Sequence, residues 1–138
     1  HAVIGGEGNG GVIYPDLHYG RDALVGIALF LTHLAKSGKK CSALRDTYPG
    51  YFISKNKIEF SPDMDIEKIL SAIMEKYKTC PITTIDGIKI HFDNEWVHLR
   101  RSNTEPIIRI YAESDMTAKA DNLARKIIND FKDILNEF

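Results

Sequence analysis

The residues from about Met116 to Phe138 carry the clearest hydrophobic period in the chain. Apolar residues recur there at intervals of three and four, which is the spacing of one face of an α-helix. A helix with so continuous an apolar face must pack on another layer, so the preceding residues have to supply one. The residues of this face are Leu123, Ala124, Ile127, Ile128, Phe131, Ile134, Leu135 and Phe138.

The segments from Tyr51 onward predict that layer. Tyr51–Phe60 is rich in β-branched and aromatic residues, which is typical of a strand. Helical spacing then resumes after Ser61-Pro62-Asp63, and Pro62 suits the entry of a helix. The predicted apolar face of this helix consists of Ile66, Ile69, Leu70, Ile73, Met74 and Tyr77.

Three antiparallel strands are predicted next, at Ile88–Phe92, Trp96–Arg100 and Ile107–Glu113. Asp86-Gly87 predicts a type I′ turn that joins Thr83–Ile85 to the first of them in a hairpin. The order from Tyr51 is therefore strand, helix, three strands, helix. It predicts an α+β domain in which two helices cover one face of a four-stranded antiparallel sheet and the other face stays open.

The first forty residues follow a different pattern. Ala2–Ile4 predicts a short strand, and Val12–Tyr14 predicts another extended piece after a glycine-rich run. A helix is expected from Arg21 to about Lys36; it is apolar on nearly every side, and Gly38 ends it. We therefore predict two domains. Residues 1–38 would be the tail (strand, loop and helix) of an α/β domain cut short at its start, and residues 39–138 would be the α+β domain.

Composition excludes several classes of function. The formal net charge of −1 provides no long-range field that would attract nucleic acid or an anionic membrane surface. The longest apolar stretch, Ala23–Leu31, is too short to cross a bilayer, and no signal peptide is visible. Cys41 and Cys80 form no metal-ligand spacing, so we expect reduced thiols in a cytoplasmic protein, with a lone disulfide as the alternative. Any anion must then be bound by a local cluster.

One such cluster is the loop Arg100-Arg101-Ser102-Asn103-Thr104-Glu105-Pro106, which lies between two predicted strands. Guanidinium groups, hydroxyls, a carboxamide and backbone N–H donors together can surround a phosphate group. Strand alternation also directs Arg109 to the open face. The alternative is an ordinary polar surface loop, because Ser, Asn and Thr are common in turns.

The glycine-rich run is a weaker candidate. Gly6, Gly8 and Gly11 match the spacing of a dinucleotide-binding motif, but that motif must open a helix, and here an extended segment follows. The run also presents Glu7 and Asn9, whose carboxylate and carboxamide could bind a vicinal diol such as two sugar hydroxyls. A bare tight turn is the alternative.

The histidines and the open face of the sheet give weaker evidence of a functional site. His18, His33, His91 and His98 show no metal-ligand spacing, so no metal site is predicted. His18 could lie near a cleft. An open sheet could also serve as a nucleic-acid or protein interaction module, for which basic and aromatic residues should occupy the open face. Lys89, His91, Trp96, His98 and Tyr111 are the outward residues that this alternative would use.

Gly6-Glu7-Gly8-Asn9-Gly10 ahead of a long helix, followed about ninety residues later by Arg100-Arg101-Ser102-Asn103-Thr104-Glu105-Pro106, resembles the α-D-phosphohexomutase superfamily. The resemblance covers essentially the whole chain, as the tail of the third of four domains plus all of the fourth. It implies a TATA-binding-protein-like fold for the last domain. It also implies that Glu7 and Asn9 bind the sugar, while Arg100, Ser102, Asn103 and Thr104, with help from Arg109, bind the phosphate that is not transferred.

The same resemblance implies a phosphoserine donor in the first domain and Mg²⁺ held by an aspartate-rich loop in the second. Neither loop occurs in this chain, so no catalytic or metal-binding residue is expected in it. We expect a hexose phosphate and the missing N-terminal domains as partners, and no mutase activity from this chain alone. Asn9 stands where the family usually has serine, which puts the choice of sugar in doubt.

Overall fold

In the computed structural model, residues 2–6, 10–61 and 64–136 are described. The chain forms two compact units, which divide between Pro49 and Gly50. The short helix at Cys41–Arg45 groups with the first unit. The domain boundary that the sequence suggests between residues 38 and 39 stays a prediction.

The first unit consists of a small hairpin and two helices. Its elements are β1 (Gly5–Gly6), β2 (Val12–Ile13), α1 (Ala23–Ser37) and α2 (Cys41–Arg45). β1 and β2 pair antiparallel, so the strand predicted at Ala2–Ile4 lies instead at the two glycines that follow. The glycine-rich run thus leads into a strand, which agrees with the rejection of a dinucleotide motif.

Helix α1 begins after an aspartate cap and ends at a glycine, which are residues that favour helix ends. The Asp22 side chain accepts a hydrogen bond from the Val25 N–H at 3.1 Å and caps the first turn. Gly38 takes the left-handed conformation, with φ of 64°, and its N–H donates to the Ala35 carbonyl. The predicted glycine stop is therefore confirmed.

The second unit contains five strands and two long helices. Its elements are β3 (Phe52–Glu59), α3 (Ile66–Lys76), β4 (Ile82–Thr83), β5 (Ile88–His91), β6 (Trp96–Arg101), β7 (Ile107–Ser114) and α4 (Thr117–Asn136). The strand order is β3-β7-β6-β5-β4, and every neighbouring pair is antiparallel. The predicted α+β class is confirmed.

The core lies between one face of this sheet and the two helices. Phe131 and Ile127 of α4, and Ile73 of α3, are fully buried against strand residues such as Ile90 and Ile110. Along β7 the side chains of Ile108, Ile110 and Ala112 are buried, as strand alternation predicts. The opposite face of the sheet carries polar and aromatic side chains.

Three details differ from the sequence prediction. The sheet has five strands, because Ile82 and Thr83 pair with β5 at its free edge, where a strand of two residues leaves little local signal. The turn between β4 and β5 spans residues 84–87, and only Gly87 has a positive φ (72°) there, so the two-residue type I′ turn is wrong.

The third difference concerns the start of α3. Asp65 caps this helix by accepting a hydrogen bond from the Lys68 N–H at 3.1 Å, so the helix begins later than the sequence suggests. Pro62 lies outside the described residues, as does Phe138 of the predicted apolar face. In the part of the chain that the structure describes, no helix is both long enough and apolar enough to cross a membrane.

Candidate functional site

The loop of residues 102–106 is fixed at both ends by the sheet. It connects β6 to β7, which pair antiparallel up to its base. The Ser102 N–H donates to the Ile107 carbonyl at 2.9 Å and closes the loop. The Phe60 N–H donates to the Pro106 carbonyl at 3.1 Å and attaches the loop to the end of β3. A loop held in this way loses little conformational entropy when a ligand binds.

The tip of the loop presents polar side chains. Ser102 is half-buried, while Asn103 and Thr104 are exposed. The Ser102 and Thr104 hydroxyl oxygens are 3.5 Å apart, and the Thr104 N–H is 3.5 Å from the Ser102 oxygen. Both distances are at the outer limit of a hydrogen bond. These groups can therefore turn to a stronger acceptor without giving up a good bond.

The two arginines at the base of the loop point to opposite faces. Arg100 lies on the open face of the sheet, directly opposite Arg109 of β7. Arg101 lies on the helix side, where its Nη1 is 4.0 Å from Glu67 Oε1 and its guanidinium carbon is 5.9 Å from the centre of the Phe60 ring. Strand alternation explains the split, because neighbouring residues of a strand face opposite sides.

Carboxylates accompany both open-face arginines. Arg100 Nε is 3.1 Å from Asp86 Oδ2, and Arg109 Nη2 is 3.9 Å from Glu105 Oε2. About half of each arginine side chain is exposed, so these ion pairs are solvated and weak. An incoming phosphate can replace the carboxylates at little cost.

Two hollows flank the loop within the second unit. One, of about 380 Å³, lies between α3, the β4–β5 turn and the end of β6. The other, of about 260 Å³, lies between the loop and the end of β3. Arg101 and Asn103 line both. Arg101 belongs to the loop that the sequence indicates, but it is not among the residues that were expected to bind the phosphate.

The structure thus brings Arg100, Ser102, Asn103, Thr104 and Arg109 together at one end of the sheet. Their role as ligands of a phosphate stays a proposal. Glu7 and Asn9, the predicted sugar-binding pair, lie outside the described residues.

The aromatic residues of the open face are covered by their neighbours. Lys89 Nζ is 4.0 Å from the centre of the Trp96 ring, and the Trp96 Nε1–H donates to Glu113 Oε1 at 2.8 Å. Lys55 Nζ is 5.7 Å from the centre of the Tyr111 ring. Bases that stack on a nucleic-acid-binding sheet need free ring faces, so a base could stack on these ring faces only after the lysine had moved.

His18 contributes to the start of α1. Its Nδ1 accepts the Gly20 N–H at 2.9 Å, so Nε2 carries the proton and donates to Asp22 Oδ2 at 3.1 Å. The pKa of Asp22 lies below its ordinary value because its carboxylate accepts from the Val25 N–H and from His18. Both ring nitrogens are thus used locally, and a position near a cleft stays a prediction for His18.

The described residues contain no group of three or more His, Cys, Asp or Glu side chains that could hold a metal ion. Cys41 and Cys80 are both free thiols in the structure, and the reduced state in the cell stays a prediction.

Comparisons with known proteins match nearly the whole chain. Residues 55–130 match the family described as "Phosphoglucomutase/phosphomannomutase, C-terminal domain", and residues 1–51 match "Phosphoglucomutase/phosphomannomutase, alpha/beta/alpha domain III". This assignment agrees with a TATA-binding-protein-like fold for the second unit.

Individual relatives agree with the family match. A phosphoglucosamine/phosphogalactosamine mutase of Sulfurisphaera tokodaii is 39% identical over 98% of this chain and 29% of its own length. A phosphoglucomutase/phosphomannomutase of Thermococcus kodakarensis is 44% identical over 87% of this chain and 26% of its own length.

The crystal structure of a phosphoglucomutase/phosphomannomutase family protein of Burkholderia thailandensis superimposes with a TM-score of 0.66 at 25% identity. The match covers 99% of this chain and 28% of that one, so the chain spans less than a third of the length of these relatives. The order of the two matched segments and the loop between β6 and β7 lead to one conclusion: the chain belongs to the phosphoglucomutase/phosphomannomutase family, as its domain III segment followed by its C-terminal domain.

Proposed function

We propose that the chain is the C-terminal part of a phosphohexomutase that interconverts hexose 1-phosphate and hexose 6-phosphate through a bisphosphorylated intermediate. In this proposal the loop of residues 102–106 and the two arginines at its base bind the phosphate that is not transferred. The main observation behind this proposal is a loop that the sheet holds at both ends and whose hydroxyl groups make only long hydrogen bonds. At its base, Arg100 and Arg109 lie directly opposite each other on adjacent strands.

The chemistry of these groups fits a phosphate dianion. A guanidinium binds two phosphate oxygens as a fork, and the Ser102 and Thr104 hydroxyls can donate to a third. The side-chain amide of Asn103 and the backbone N–H groups of the loop tip complete the set of donors. Because the strands hold the loop, these donors are positioned before the ligand arrives.

The role of this chain is to bind and orient. Phosphoryl transfer depends on positioning and electrostatic stabilisation, and a fixed phosphate holds the sugar in place for the step at its other end. The phosphoserine donor and the Mg²⁺ site would come from the N-terminal domains. The described residues contain no cluster of His, Cys, Asp or Glu side chains that fits a magnesium site. Glu7 and Asn9 would contact the sugar hydroxyls.

The relatives are named for different hexoses, so the proposal covers hexose phosphates as a class. We also infer a cytoplasmic location, since Cys41 and Cys80 are free thiols.

Titration of this chain with inorganic phosphate, followed by amide NMR, tests the proposal. Saturable shifts are expected at Ser102 to Thr104, with a dissociation constant on the order of millimolar because the sugar contacts are absent. Arg100→Gln should raise this constant about tenfold, as expected for the loss of one charged hydrogen-bonding partner. Arg125→Gln is the matched control, since Arg125 is exposed on α4 and bonds only to neighbours on that helix among the contacts observed.

Shifts spread evenly over the surface, or equal effects of the two arginine variants, would contradict the loop assignment. The same samples should show no turnover of glucose 1-phosphate with magnesium, and turnover above background would mean that this chain holds catalytic residues. Salt-dependent binding of RNA or DNA would instead favour the interaction module.

A further inference from the structure

Three cations lie in one row across the open face of the sheet. Lys57 of β3 is directly opposite Arg109 of β7, and Arg109 is directly opposite Arg100 of β6. All three are exposed, while the buried Ile108 and Ile110 on either side of Arg109 face the core. Residues directly opposite in antiparallel strands share a face with Cβ atoms about 5 Å apart. The row therefore holds three positive charges within about 10 Å.

Such a row is unfavourable for the sheet itself, because like charges directly opposite each other repel. Carboxylates around the row offset the repulsion. Lys57 Nζ is 2.9 Å from Glu59 Oε1, Arg109 approaches Glu105, and Arg100 pairs with Asp86. Glu59 lies on the same strand as Lys57, whereas Glu105 and Asp86 lie on loops beside the row.

The row also interacts electrostatically with Glu105 of the candidate loop. The pKa of Lys57 lies above its ordinary value because of the hydrogen bond to Glu59 and the charge of Glu59, and Glu105 of the loop adds to the effect. Glu105 thus lies close enough to affect Lys57 as well as Arg109. A further attachment comes from the Phe60 N–H, which joins the end of β3 to the loop at Pro106.

We propose that Lys57 is a phosphate-binding residue and that the row of Lys57, Arg109 and Arg100 extends the phosphate site from the loop across three strands. The inference rests on the proposed function, and the ligand is a phosphate dianion, either free or as a sugar phosphate monoester. The phosphate takes the place of Glu105 and Glu59 as the counter-charge of the row. Its two negative charges neutralise cations that the solvated carboxylates neutralise only loosely.

The test uses inorganic phosphate and this chain at about 0.15 M salt, where the screening length is about 8 Å. Lys57→Gln should weaken phosphate binding about fivefold, the size expected of one exposed charge pair a few ångströms apart in water. Lys55→Gln is the matched control, because Lys55 lies two residues away on the same strand and face and covers Tyr111. Its effect should be less than twofold.

Glu59→Gln provides a change in the opposite direction. Removal of this carboxylate frees Lys57, so phosphate binding should tighten about twofold to threefold. Neither Lys57→Gln nor Glu59→Gln should unfold the chain, because exposed ion pairs contribute little to stability. Amide spectra that keep the wild-type dispersion confirm this.

Equal effects of Lys57→Gln and Lys55→Gln, or weaker binding in Glu59→Gln, would overturn the role of Lys57. The proposed function fails separately if no shift occurs at Ser102 to Thr104. Shifts at residues 57, 100 and 109 without any loop response would keep the row as a phosphate site and reject the loop. A hexose 6-phosphate titrated in parallel distinguishes a sugar phosphate from free phosphate, since the ester should bind more tightly if the sugar is also contacted.

Discussion

The largely buried side chain of Asp130 on α4 connects this helix to the C-terminal end of α3. Its carboxylate accepts a hydrogen bond from the Tyr77 hydroxyl and pairs with Lys76 Nζ at 2.7 Å. Burial raises the pKa of Asp130, but the hydrogen bonds from Lys76 and Tyr77 outweigh this, and the net pKa lies below its ordinary value. Burial and the bond to Asp130 in turn raise the pKa of Tyr77. The helical period predicted the inward position of Tyr77, but not a partner 53 residues away.

Asp130→Asn should lower the free energy of unfolding by about 1–2 kcal/mol at pH 7, because an ion pair and a strong acceptor are lost. A carboxyl with a lowered folded pKa stabilises above its unfolded pKa of about 3.9, and this contribution disappears as pH falls through the folded value. The difference between wild type and variant should therefore shrink below about pH 4. Urea unfolding at pH 7 and in the acid range measures it. Asp133→Asn, at an exposed position of α4, is the control, and a gap that stays constant with pH would contradict the account.

At the scale of the elements, the turn between β4 and β5 depends on contact with the neighbouring strand. Gly87 has a φ of 72°, and an added Cβ would press on the Leu99 carbonyl oxygen and approach the Arg100 Cα to 3.1 Å. The Asp-Gly pair correctly indicates a turn at this point. The length of the turn is set by the register in which Ile82 and Thr83 pair with β5. The residues of the turn itself do not indicate this register.

Gly87→Ala should destabilise the second unit by about 2–4 kcal/mol, the sum of a left-handed backbone for a non-glycine residue and an overpacked contact. Chemical denaturation measures this loss. Gly50→Ala is the control, because an added methyl group there meets open space. Equal small effects at the two glycines would show that the turn can relax away from β6. Since Arg100 lies at this contact, the loss of stability should be accompanied by altered amide shifts at the base of the candidate site.

At the scale of the whole molecule, helix α1 leaves much of its apolar surface exposed. None of its 15 residues is buried, and Leu24 is 77% exposed, with Ile27 and Leu31 each 54% exposed. The sequence predicted a helix that is apolar on nearly every side and therefore covered. In the described structure this surface is uncovered, and apolar patches of a few hundred Å² commonly mark interaction surfaces.

This chain should therefore self-associate through α1 as its concentration rises. The double variant Ile27→Lys/Leu31→Lys changes neighbouring positions of one helical face and should shift the molecule to monomer, because about 25 cal/mol favours burial of each Å² of apolar surface. Sedimentation equilibrium measures the association. Ile85→Lys, at a fully solvated position in the β4–β5 turn, is the control. A wild-type chain that stays monomeric at high concentration would refute the expectation.

Hydrophobic spacing predicts the order of the long elements, and in the second unit it also predicts the faces that they bury. Ile73, Ile110 and Phe131 are buried where their periods predict, because amphipathic spacing is a local property that each helix or strand carries alone. The sequence by itself also determined that Arg100, Ser102 and Arg109 meet at one loop, since adjacent strands bring the ends of a short loop together.

Other features follow only from contacts between segments that are distant in the chain. The fifth strand and the alignment of Lys57 with Arg109 and Arg100 depend on which strands are neighbours and in what register. Lys57 lies 52 residues before Arg109 in the chain, and no local period links them. Burial of the common apolar face sets that register, because a slip of one residue would turn every core side chain to water. The positions of the charges on the open face are then a consequence of how the core packs.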